Sequence, residues 1–87
     1  MTWLARLTSA QSTSRAASKR VAAGFMDSYV RWRDACEEVR AAYGRWAKSS
    51  PPQRGFAFHG YRAALGREER AARIHSYWAE RARALEH

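Results

Sequence analysis

The stretch from Phe25 to Trp46 constrains this chain more than any other. Phe25, Tyr29, Trp32, Cys36, Val39, Tyr43 and Trp46 follow one another at steps of 4, 3, 4, 3, 4 and 3 residues. A helix returns to the same side about every 3.6 residues, so these seven share one side of a helix; in a strand they would alternate between faces. An apolar seam of that length has to be covered by another part of the chain or by a second chain.

Written as a heptad, the seam places Ala22, Tyr29, Cys36 and Tyr43 at a, and Phe25, Trp32, Val39 and Trp46 at d. The g positions Ser28, Ala35, Ala42 and Ser49 are all small. Large a and d residues beside small g residues let another helix approach closely. The opposite face carries Asp27, Arg31, Asp34, Glu37, Glu38, Arg45 and Lys48, with Asp27 to Arg31 a favourable i, i+4 pair.

Ser49-Ser50-Pro51-Pro52 stops this helix, because proline lacks an amide donor and forces the preceding residue out of the helical region. The same residues can start the next helix, with Ser50 as N-cap, Pro51 at N1 and Gln53 completing a capping box. A link this short predicts an antiparallel neighbour. Gly55, Gly60 and Gly66 each weaken the second helix by ~1 kcal/mol relative to Ala. The second helix is expected over residues ~51–84, with a start only after Gly60, leaving Phe56 and Phe58 in a turn over Trp46, as the alternative. From Tyr61 onward, Tyr61, Leu65, Ala72, His75, Ala79 and Ala82 line one side, and Ala71, Ile74, Trp78 and Leu85 line a displaced one. The register places His75 beside Phe25 or Tyr29. A hairpin buries one stripe per helix, so the displaced line calls for a twist of helix 1 around it, for cover by the N-terminal arm, or for a second copy, which is the favoured reading. The expected architecture is all-α: an antiparallel helical hairpin over residues 18–85, pairing into a dimeric four-helix bundle.

Residues 1–17 read as a separate basic, Ser/Thr-rich arm. Residues 1–20 hold four bases, Arg6, Arg15, Lys19 and Arg20, and no acid. The run from Thr8 to Ser14 competes with helix through side-chain-to-backbone bonds, which puts the start of helix 1 near Ser14 or Ser18. The alternatives are a short helix docking Trp3 and Leu7 on the hairpin, and a basic amphipathic or transit-like segment built on Trp3, Leu4 and Leu7. Leu85-Glu86-His87 resembles the start of a vector-derived tag, so residues 86–87 are set aside.

Eighty-seven residues make one domain with a small core. Cys36 is the only cysteine, so no internal disulfide can staple it, and oligomerisation is the remaining support. No uncharged run approaches the ~18 residues of a membrane span. A lone thiol and no apolar signal core point to a reducing, cytoplasmic setting.

Few residues suggest chemistry. Glu37-Glu38 and Glu68-Glu69 lack the His three positions on that a di-metal bundle uses; Arg40, Ala41, Ala71 and Ala72 stand there. The glycines precede no Gly-Lys-Ser/Thr, so they form no phosphate loop. Cys36 reads as a small core residue, and His75 as a hydrogen-bonded core histidine. Secreted helical hairpins marked by Trp-x-Gly and Tyr-x-x-x-Asp/Glu share the expected shape, but this chain has neither motif. No cofactor, metal or catalytic residue is expected. The expected function is a non-catalytic protein-interaction module, self-associating or binding another protein through Ala71, Ile74, Trp78 and Leu85. The alternative rests on the net charge of +8 and on Arg62, Arg70, Arg73 and Arg81 as phosphate contacts for a nucleic acid.

Overall fold

Two helices account for nearly all of the chain: α1 (Thr2–Ala47) and α2 (Arg54–Leu85), joined by a 3₁₀ turn at Pro51–Gln53. The computed structural model describes residues 2–86, with side chains from residue 14 onward. The helices lie antiparallel in a rod of 77 × 15 × 15 Å, which is the helical hairpin that the sequence predicts.

α1 begins earlier than Ser14 or Ser18. It is one helix from Thr2, so the N-terminal segment is neither a non-helical arm nor a separate short helix. No proline or glycine occurs before Gly24, and Ala5, Ala10, Ala16 and Ala17 favour helix strongly enough to carry it through the Ser/Thr run. α1 has 46 residues and α2 has 32. Ser18 and Val21 share a groove with Leu85 and Glu86, where α2 ends, so the first turns of α1 extend past it. The side chains of Trp3, Leu4 and Leu7, and the docking or anchoring expected of them, lie outside the described residues.

At the connection, Ser50 is extended (φ −71°, ψ 157°), as a residue before proline has to be. Its side chain makes no cap, so the capping box does not form; the Gln53 amide instead donates to the Ser50 carbonyl at 3.0 Å. The Ser49 hydroxyl donates to the Trp46 carbonyl at 2.7 Å and helps close α1. α2 then starts at Arg54, close to the expected start at ~51, and the alternative start after Gly60 is not adopted. Aromatic packing outweighs the glycine cost: Phe58 and Tyr61 lie 5.1 and 5.4 Å from the Trp46 ring, the latter stacked. Phe56 is helical too, but it faces away from Trp46 and is 87% exposed.

The tightest packing belongs to small residues. Val21, Ser28, Ala35 and Ala42, one heptad apart, are buried on α1, and Ala64 is buried opposite them. The seam therefore runs through the g and d positions. Phe25, Trp32, Val39 and Trp46 are half-buried, whereas Tyr29 and Tyr43, at a, sit out on a flank. Trp78 packs on Gly24, where an added Cβ would lie 2.5 Å from its ring carbons.

Gly24→Ala is therefore expected to lower stability by about 1–3 kcal/mol through overpacking. Gly60→Ala, where a Cβ meets nothing within 4 Å, is expected to raise it by about 0.5–1 kcal/mol. Urea unfolding of the two variants beside the parent protein checks both signs.

Candidate interaction surfaces

The g/d seam divides the rod into two flanks. On the a flank the aromatics form two clusters. His75 lies 4.9 Å from Phe25, 5.7 Å from Tyr29 and 5.7 Å from Trp32, stacked on the last at 9°. Nearer the turn, Trp46 holds Phe58 and Tyr61, and Tyr43 meets Tyr61 edge-on at 5.6 Å.

The polar centre of the first cluster is a chain of two hydrogen bonds. The Ser28 hydroxyl donates to the Phe25 carbonyl at 3.0 Å, and Ser28 Oγ lies 3.0 Å from His75 Nδ1. A hydroxyl has one proton; given to Phe25, it leaves Nδ1–H of His75 as the donor to Ser28. That fixes the ring tautomer and ties the two helices together at a nearly buried serine. His75 is thus the core histidine that its register predicts. Trp32 Nε1 is buried beside it without a hydrogen-bond partner among the described residues.

The g flank is a shallow channel. Ala35, Ala71 and Ile74 floor one groove, rimmed by Arg31, Asp34, Glu38, Arg67 and Arg70. An Arg67–Glu38 ion pair at 3.2 Å crosses the channel. Beyond it a second groove runs past Ala42, Arg45, Ala57 and Gly60 to Phe56.

The four residues expected to form one surface are dispersed. Ala71 and Ile74 share the first groove, and Ile74 is 54% exposed. Trp78 belongs to the intrachain seam over Gly24. Leu85 lines a different groove at the open end, with Val21, Phe25 and Met26. Phe56 joins the channel from the first turn of α2. Its signal was legible: it lies 18 residues, five helical turns, before Ile74.

Arg62, Arg70, Arg73 and Arg81 are all exposed, and none forms an ion pair among the described residues. Glu69 and Arg73, and Glu80 and Arg83, have helical ion-pair spacing but form no pair among the described residues, whereas Asp27–Arg31 does, at 2.9 Å. Arg81 caps the Tyr77 ring at 5.3 Å. No group of His, Cys, Asp and Glu suited to a metal occurs among the described residues. No helix among them is long and apolar enough to cross a membrane.

Ser28→Ala is expected to destabilise the hairpin by about 1–3 kcal/mol, since it leaves Nδ1–H of His75 unpaired. Ser28→Ala combined with His75→Phe should cost less than the sum of the single changes. A double-mutant cycle from chemical denaturation measures that coupling.

The chain matches no protein-family model, no curated protein and no solved structure.

Proposed function

We propose that the chain is a non-catalytic helical interaction module that works by pairing with a second copy of itself along the g flank, in a cytoplasmic setting suited to its unpaired Cys36. One observation carries this reading: on the g flank Phe56 is 87% exposed and Ile74 54% exposed, large apolar side chains that burial against a partner would stabilise.

Tyr43, on the a flank, is also more than half exposed. On the g flank the channel floor is alanine, which suits insertion of a larger side chain. Phe56 and Ile74 stand about 27 Å apart along α2. A two-fold axis midway between them would set Phe56 of each copy against the Ile74 groove of the other, an isologous contact that closes as a four-helix bundle. The Glu38–Arg67 pair would lie near that axis, where it can interleave with its copy.

Light scattering at about 100 µM is expected to give a mass of about 20 kDa, twice that of the chain. Ile74→Glu and Phe56→Glu should each give a monomer with helix content retained, and Tyr77→Glu, off the channel, should remain dimeric. A parent protein of monomer mass would overturn the reading.

A further inference from the structure

We propose that the outer face of α2 is a phosphate-binding stripe for a double-stranded nucleic acid. The residues of α2 that turn toward α1 include Ala57, Tyr61, Ala64, Ala71, His75 and Trp78, all at least half-buried. At 100° per residue, Arg62, Arg70, Arg73 and Arg81 fall within an arc of about 100° on the other side of the helix. They span about 28 Å along its axis. Each is exposed, and none is tied up in an ion pair among the described residues. On α1, Arg31 and Arg40 are paired with Asp27 and Glu37, whereas Arg33 and Arg45 are exposed without an ion pair among the described residues. α2 carries seven of the fourteen arginines, and four of them lie on this one face. Glu80 is the one acid inside the arc.

The occupant follows from charge and from what the face lacks. Four unpaired guanidiniums along a straight line complement a polyanion whose phosphates also run in a line. Single strands are bound chiefly by stacking bases on free aromatic faces. The one aromatic inside the arc besides His59 is Tyr77, and Arg81 already covers its ring. A bilayer surface would need apolar side chains to insert, whereas the middle of this face carries Gly66 and Ala84 between the arginines. A duplex backbone, DNA or RNA, needs only the cations. Contacts confined to phosphates would bind without sequence preference. The stripe does not depend on self-association, because the channel lies on the flank and the stripe on the back of α2; Arg70 alone borders both.

The test is fluorescence anisotropy of the full chain with labelled 20-bp duplexes of DNA and of RNA, titrated across salt concentrations. Neutralising four phosphates predicts a log K against log salt slope of about −3.6, and a loss of affinity of roughly 10²-fold between 50 and 200 mM salt. The variant Arg62→Gln, Arg73→Gln, Arg81→Gln, checked for unchanged helix content, should reduce the slope by about 3. Arg31→Gln, Arg33→Gln, Arg40→Gln on α1 should leave it nearly unchanged. Ile74→Glu should keep the slope, which separates this claim from the pairing claim. No binding to either duplex at 50 mM salt would overturn the proposal. So would equal sensitivity to the α1 variant, or tighter binding to vesicles containing phosphatidylserine than to the duplexes.

Discussion

Ser28, Ala35 and Ala42 on α1 and Ala64 on α2 are buried where the two helices meet, and Val21 is the one larger side chain buried with them among the described residues. Backbones that meet over Cβ atoms leave no room between them for rings. The aromatics of the seam are therefore displaced sideways, where they pack on one another and on His75 instead of filling an enclosed core. Gly24 extends the same logic to the open end of the hairpin, since it has no side chain where Trp78 lies. The three ion pairs among the described residues, all between well-exposed side chains, add little to this; the packing decides the geometry.

That geometry is costly for so short a chain. Two helices side by side can shield only a strip of each other, and the half-buried rings gain only part of the ~1.5–3 kcal/mol that full burial of a large apolar side chain provides. No disulfide adds to it, because Cys36 is alone. The Ser28–His75 bond supplies specificity of register more than net stability, because an intramolecular hydrogen bond contributes only ~0.5–1.5 kcal/mol after water is displaced. The surface left over is the physical reason to propose a second copy on the g flank. The arginines on the back of α2 stand clear of both the seam and most of that flank, so one small rod can carry two distinct surfaces.

Much of the architecture was legible because periodicity and punctuation agree. The 4-3 spacing from Phe25 to Trp46 marks α1, Pro51-Pro52 marks the turn, and the small g positions mark the close contact. The register even sets His75 beside Phe25 and Tyr29, whereas its stacking on Trp32 shows only in the fold. Helix ends were read less well. The Ser/Thr run and Gly55, Gly60 were weighed by intrinsic propensity, which alanines upstream and Trp46 packing override. The side of the seam was also misjudged: hydrophobicity alone centres it on a and d, whereas steric fit rotates it toward g. That rotation draws Trp78 inward and separates it from Ile74 and Leu85, so the displaced apolar line of α2 is not one surface.

The account depends on close approach at small residues, and Ala64 tests it most directly because it is 1% exposed at the contact while its neighbour Ala63 faces solvent. Leucine has the higher hydrophobicity and nearly the same helix propensity as alanine, so propensity does not separate the two sites. Equilibrium unfolding in urea should show Ala64→Leu destabilised by about 1–3 kcal/mol or more, with Ala63→Leu within about 0.5 kcal/mol of the parent. An Ala64→Leu protein as stable as the parent, or more stable, would contradict the account.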